Sequence, residues 1–169
     1  MSKRHCRDKS SAESDARPNA ADACGGLIEV MPVDLNDVSA IIRIDAEITG
    51  EIKADFWYSH YVRQNTDKSV LLLVARYECE VAGYILGSIQ AWEFGSPPCG
   101  WIEAISVDPK LQRKQIATHL FDASIAYFLK NGIVTIRTMV HMDNHSLLSF
   151  FRMKGMSAGP YIELEMRAD

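Results

Sequence analysis

Ile105-Ser106-Val107-Asp108-Pro109-Lys110-Leu111-Gln112-Arg113-Lys114-Gln115-Ile116-Ala117 is the stretch from which the rest of the chain can be read. Just upstream, Trp101 to Val107 is an apolar run with β-branched residues near its end, the pattern of a buried strand. Asp108-Pro109 stops it, because proline fixes its own φ and brings no N–H to a ladder. From Gln112 onward Ile116, Leu120, Phe121, Ile125 and Phe128 recur at helical spacing. A strand thus runs through a basic turn into a helix N-terminus. Unpaired N–H groups, the positive end of a helix dipole and the side chains of Arg113 and Lys114 meet there, which are the ingredients of a phosphate site.

Outward from this stretch, Cys99 to Val107 is predicted as the central strand, entered from a Gly95-Ser96-Pro97-Pro98 loop. The helix from Gln112 to Lys130 closes at Asn131-Gly132, and Ile133 to Val140 is the next strand. Asn144 caps a further helix that Gly155 ends, and Gly159-Pro160 turns into a last strand, Tyr161 to Met166. Toward the N-terminus, Leu27 to Val30 reads as the first strand. Asp34 caps a helix with Leu35, Val38, Ile41 and Ile42 on one face; Thr49-Gly50 interrupts it, and Asp55 caps a second helix through Gln64. Ser69 to Arg76 and Val81 to Trp92 are strands joined by a Tyr77-Glu78-Cys79-Glu80 hairpin turn. Gly83 and Gly87 within the second of these imply a bulge or a close backbone neighbour. The order β-α-α-β-β-β-α-β-α-β gives an α/β class, a mixed sheet with helices on its faces.

At 169 residues the chain is long enough for one domain with a real core. Residues 2 to 26 hold no Ile, Leu, Val, Met, Phe, Tyr or Trp. They are expected to form a disordered polar tail, residues 1–26, ahead of a domain spanning 27–169. Lys3, Arg4, Arg7 and Lys9 make a small basic cluster in that tail, read as a solvated extension rather than a nucleic-acid or targeting element. A formal net charge of −4 speaks against nucleic acid as a partner. No apolar run approaches a membrane span. Cys6, Cys24, Cys79 and Cys99 form no C-x-x-C pair and no secretory signal precedes them, so reduced thiols in the cytoplasm are expected. His141, Asp143 and His145 straddle a turn without a fourth ligand nearby, and no metal is expected.

Two segments of this sequence resemble the GNAT superfamily of acyl-CoA-dependent N-acetyltransferases. Val107-Asp108-Pro109 with Gln112 and Ala117 is similar to that family's Val-x-Pro strand end and Gln/Arg-x-x-Gly-x-Gly/Ala helix head. Gln115 stands where the family has glycine; a helical φ there would tolerate it. Asn144 to Met156 is similar to the segment Asn-x-x-Ala-x-x-Leu-Tyr-x-x-x-Gly-Phe, with Phe151 in the place of the tyrosine that protonates the departing CoA thiolate. The resemblance implies a GNAT-like fold, its central sheet splayed between the Cys99–Val107 and Ile133–Val140 strands with helices on both faces. It implies acetyl-CoA as co-substrate. The pyrophosphate would lie on Gln112, Arg113, Lys114, Gln115, Ile116 and Ala117, and the pantetheine arm on Ile105, Ser106 and Val107. Asn144 and Phe151 would also contact CoA. The Ile105 N–H would polarise the thioester carbonyl.

Glu103 is the one carboxylate inside the central strand. Alternation puts Glu103, Ile105 and Val107 on one face and Ile102, Ala104 and Ser106 on the other. A carboxylate in a central strand is costly unless it is ion-paired or solvated from a cleft. Its place looks like that of the strand glutamate of polyamine- and diamine-acetylating members, which serves as general base. A lysine-like amine costs about 4.6 kcal/mol to deprotonate at pH 7, an α-amino group only about 1 kcal/mol, so a base matters most for an alkylamine. Asp45, Glu47, Glu51 and Asp55 beside Phe56, Trp57, Tyr58 and Tyr61 are expected either to hold a cationic acceptor or to be ordinary solvated helix charges. The expected activity is transfer of an acetyl group from acetyl-CoA to a primary amine of a small molecule or peptide. A protein N-terminal or lysine acetyltransferase of the same fold and a non-catalytic acyl-CoA-binding module are the alternatives, and a homodimer is compatible with each.

Overall fold

The computed structural model describes residues 26–91 and 95–168, so the tail up to residue 25 and the predicted strand end at Trp92 lie outside the described residues. Among the described residues, five strands form one sheet in chain order: β1 (Ile28–Pro32), β2 (Val70–Tyr77), β3 (Glu80–Gln90), β4 (Cys99–Val107) and β5 (Ile136–Thr138). The first four pair antiparallel, while β5 runs parallel to β4. The helices are α1 (Val38–Thr49), α2 (Ala54–Thr66), α3 (Ile116–Lys130) and α4 (His145–Met153).

The helices divide between the two faces, and each face has its own core. One core joins Leu71, Leu73, Ile85 and Ile102 of the sheet to Ile116, Leu120, Phe121 and Phe128 of α3 and Phe151 of α4. The other joins Leu72, Val74, Tyr84 and Leu86 to Val38, Ile41 and Ile44 of α1 and Trp57 of α2. Strand β2 is buried on both faces, as Val70-Leu71-Leu72-Leu73-Val74-Ala75 anticipates.

Polar contacts fix α1 and α2 on their face. Buried Asp45 accepts from Trp57 Nε1 at 3.1 Å and from the Tyr84 hydroxyl at 3.0 Å, and pairs with Lys53 Nζ at 2.9 Å. Burial pushes the Tyr84 phenol far above its usual value, so it stays protonated and donates. Asp34 caps not α1 itself but a 3₁₀ turn, Leu35–Asp37, in a capping box closed by Asp37. Buried Asp37 is in turn paired with Arg76. Of the face expected for this helix, Val38 and Ile41 are buried and Ile42 partly so, Leu35 is exposed, and Ile44 joins the core instead.

Several boundaries move from their sequence-based positions. The second helix begins at Ala54, with no side-chain cap from Asp55. The third begins at Ile116, not Gln112, because Arg113 and Gln115 both adopt left-handed φ. Only Ile136–Thr138 of the Ile133–Val140 run is strand. Tyr161 to Met166 is not a strand at all. No β5 edge of matching length runs beside it, and Ile162, Leu164 and Met166 lie exposed. Among the cysteines read as reduced, Cys99 is free and buried, whereas Cys79 is disulfide-bonded, contrary to that expectation. Among the described residues, no helix is long and apolar enough to cross a membrane.

Helix α3 lies hard against the sheet because glycines leave room for it. A Cβ on Gly100 would stand 2.7 Å from the Phe128 ring, and one on Gly87 would stand 2.8 Å from the Trp101 carbonyl oxygen. Phe128 is wholly buried and has no room to retreat. Gly100→Ala is therefore expected to cost about 1–3 kcal/mol of stability, read as a lower denaturation midpoint at unchanged m value.

Candidate acyl-transfer site

The site begins where β4 leaves β5. Gly100, Trp101 and Ile102 pair with Ile136, Arg137 and Thr138, and there the pairing ends. Thr138 Oγ1 donates to the Ile102 carbonyl at 2.9 Å, satisfying the last acceptor before the strands part. Beyond Ile102 the outer edge of β4 faces no strand among the described residues. An open edge at the carboxyl end of parallel strands is a crevice suited to a ligand's polar chain.

At the same point β4 contains a bulge. Leu86 pairs with Ala104 and Gly87 with Ile102, so Glu103 has no partner on β3. Two successive residues, Glu103 and Ala104, consequently share a face. This corrects the strict alternation expected from the sequence: Ile102, Ile105 and Val107 pack with the α3 core, while Ala104 packs with the α1–α2 core. Glu103 is turned to the α1–α2 side, is exposed, and accepts from the Ser88 hydroxyl at 2.5 Å. The apolar pair Ile102 and Ile105, an odd number of residues apart within a strand, is the sequence signal that would have revealed the bulge. Ser106 lies on the α1–α2 side as well, hydrogen-bonded through its hydroxyl to Tyr84.

After Val107 the chain makes its turn. Buried Asp108 accepts from the Lys110 N–H at 2.9 Å and pairs with Arg43 Nη1 of α1, also at 2.9 Å. Burial works to raise the Asp108 carboxyl, and the Lys110 N–H and Arg43 outweigh it, leaving it below the usual carboxylate value. A 3₁₀ turn, Pro109–Leu111, follows, and then Gln112 in extended conformation. Arg113 and Gln115 have φ of 66° and 63°. Left-handed residues next to a helix start curl the backbone so that successive N–H groups converge, a concave cradle for an anion. The Gln115 carbonyl accepts the first helical bond, from His119 at 3.1 Å, so the N–H groups of Ile116, Ala117 and Thr118 have no intrahelical acceptor. The helical φ expected for Gln115 is thus wrong; it holds the left-handed conformation that favours glycine.

The side chains divide. Arg113 is exposed on the cradle. Lys114 is drawn toward the β2–β3 hairpin, its Nζ 2.9 Å from the Tyr77 hydroxyl and 4.2 Å from the centre of that ring. The contact with Tyr77 raises its pKa. Ile116 is buried in the core and Ala117 is half-buried at the first helical turn. Asn144 caps α4, its Oδ1 accepting from Leu147 N–H at 3.1 Å. Gly155, at φ 84°, ends that helix with Met156 N–H bonded to the Phe151 carbonyl at 3.0 Å and Gly155 N–H to Arg152 at 3.0 Å, a Schellman close. Phe151 is 4% exposed and packs among Phe121 and Phe150 in the α3 core. Tyr161 lies against the guanidinium of Arg137 on β5. Of the carboxylates on α1, α2 and their connection, Asp45 is saturated by Lys53, Trp57 and Tyr84, and Glu47 pairs with Arg43 at 3.1 Å. Glu51 and Asp55 remain at the exposed surface.

The acetyltransferase (GNAT) family model matches residues 38–156. A comparison by sequence with curated proteins gives no match. Among solved structures, the aminoglycoside N-acetyltransferase AAC(6')-Iy in complex with CoA is similar at 12% identity and a TM-score of 0.73, over 85% of this chain and 96% of that one. A PaiA N-acetyltransferase from Thermoplasma acidophilum in complex with coenzyme A is similar at 19% identity and 0.66, over 80% and 93%. A transcriptional regulator from Bacillus halodurans C-125 is similar at 14% identity and 0.72, over 84% and 100%. These likenesses are of fold.

Left-handed backbone costs a residue with a Cβ roughly 1 kcal/mol. Gln115→Gly should therefore leave thermal stability unchanged or higher, where glycine inside an ordinary helix would lower it. A fall in melting temperature on that substitution would contradict the left-handed assignment.

Proposed function

Because this chain belongs to the acetyltransferase (GNAT) family, we propose that it transfers an acetyl group from acetyl-CoA to a primary amine of a small molecule, with Glu103 as general base. The observation that carries this reading is the bulge at Glu103. It sets an exposed carboxylate where β4 parts from β5, on the strand whose far end runs into the anion cradle of residues 113–117. The functional unit is taken as residues 27–169.

The cradle fits a pyrophosphate by its chemistry: three unpaired N–H groups, a helix N-terminus and the cation of Arg113. Lys114 adds positive potential from its seat on Tyr77. The open edge of β4 from Ala104 to Val107 offers backbone donors and acceptors to the amide-containing pantetheine arm, and the Ile105 N–H is assigned to the thioester carbonyl. Glu103 first takes a proton from the ammonium, and the freed nitrogen attacks the acetyl carbon; the N–C bond forms, the second N–H proton passes to water, the C–S bond breaks, and CoA leaves as the thiolate. Phe151 has no proton to give that thiolate, so water at the open crevice is the source. AAC(6')-Iy, an aminoglycoside N-acetyltransferase, supports an amine as acceptor.

Three measurements test this reading. Acetyl-CoA should raise the melting temperature, and Arg113→Glu with Lys114→Glu should abolish that rise while leaving the unliganded melting temperature within error. Screening acetyl-CoA against pools of amines and peptides by mass spectrometry should identify an alkylamine acceptor. With that acceptor, Glu103→Gln should lower kcat/KM roughly 10²-fold near pH 7 and much less at high pH, where free amine is already present. An active wild type indifferent to Glu103→Gln would remove Glu103 as base, and tight binding of acetyl-CoA with no transfer to any amine would leave a binding module.

A further inference from the structure

Ser88 on β3 plays no part in the reading above, yet its hydroxyl donates to Glu103 Oε1 at 2.5 Å. Two features of the sheet bring the pair together. On β3, Ile85 and Ile89 pack with the α3 core while Tyr84 and Leu86 pack with the α1–α2 core, which puts Ser88 on the α1–α2 side. On β4, the bulge turns Glu103 to that same side without a partner of its own, because Ser88 is paired with Trp101 and Gly87 with Ile102. Without the bulge Glu103 would pair in register and lose the exposed, unpaired position that it holds.

A glutamate on an exposed bulge has three side-chain torsions, and the last is broad, with no strong preference of its own. Its carboxylate needs a partner to hold one orientation. Among the described residues, Ser88 is the hydrogen-bond partner of Glu103, and it occupies one carboxylate oxygen. We infer that Ser88 is a positioning residue for Glu103: its O–H holds Oε1 and so aims Oε2 at the amine in the crevice. The inference rests on the reading of Glu103 as base. Ser88 acts through Glu103 and touches neither substrate.

The test uses the full chain, acetyl-CoA and the amine acceptor that the pool screen yields. Ser88→Ala should lower kcat about 5- to 10-fold, the effect of losing one hydrogen bond to a charged group at a partly solvated position. The KM for acetyl-CoA and the melting temperature should stay within error. Ser88→Thr, which keeps the hydroxyl, should remain within about 2-fold of wild type, as rescue of the same hydrogen bond requires. In a Glu103→Gln background, Ser88→Ala should add little, since residues that act as a unit are not additive. Crystal structures provide a readout independent of turnover: Glu103 should take one rotamer in wild type and several in Ser88→Ala. Wild-type kcat in Ser88→Ala alongside an impaired Glu103→Gln overturns the role of Ser88 alone, as does an undiminished Ser88→Ala effect in the Glu103→Gln background. Wild-type kcat in Glu103→Gln, or no transfer to any amine, overturns the base and its positioning residue together.

Discussion

A strand that leaves its neighbour gives up backbone hydrogen bonds, and a buried donor or acceptor left without a partner costs about 1–3 kcal/mol. The separation of β4 from β5 is the constraint on which this molecule turns. Three residue pairs hold the strands together and Thr138 seals the end of the contact with its hydroxyl. Beyond that point, the edge of β4 has to be solvated or filled by something with amide groups of its own. Closing the gap by extending β5 would satisfy the edge and abolish the crevice.

The bulge at Glu103 belongs to the same economy. It removes one carboxylate from the ladder and keeps apolar residues on the α3 side on both sides of the kink, Ile102 before it and Ile105 and Val107 after it. One extra residue thus lets the strand keep its core and still present a charge. The anchoring lies farther off. Arg43 on α1 pairs with Asp108 at the strand end, and Asp45 on the same helix grips Tyr84 of β3, Trp57 and Lys53. The first helix therefore holds both the strand end and the neighbouring strand in place, although none of its residues belongs to the anion cradle.

Much of this was legible in the residues. The bounds of β4 follow from Cys99 to Val107 and the Asp108-Pro109 stop, and the Asn144 cap and Gly155 close follow from local chemistry that needs no tertiary context. What escaped the sequence depends on context. Left-handed φ at Gln115 leaves no mark on the residue type, because the turn imposes it from outside. Gly87 already implied a bulge or a close neighbour on β3, but the extra residue on β4 was not assigned to Glu103, where the odd spacing of Ile102 and Ile105 marks it. The Tyr161–Met166 alternation has the period of a strand, but a strand exists only against an edge, and β5 supplies three residues. Ser88 had no signal at all, since a serine in a strand becomes informative only when its neighbour across the ladder is known.

The order of the strands has a consequence for how the molecule forms. Strands β2, β3 and β4 are joined in sequence by one tight turn and one loop, and each pairs with the next, so the loops that must close are short. The parallel partner β5 returns only after the whole of α3, and it brings three residue pairs. By loop-closure entropy the β2–β3–β4 meander forms before either β1 or β5 joins it, and of these contacts β4–β5 has the fewest residue pairs to hold it. The crevice is therefore bounded by the shortest ladder of the sheet, so local opening is expected to start there, away from the longer ladder that carries Ser88 and Glu103.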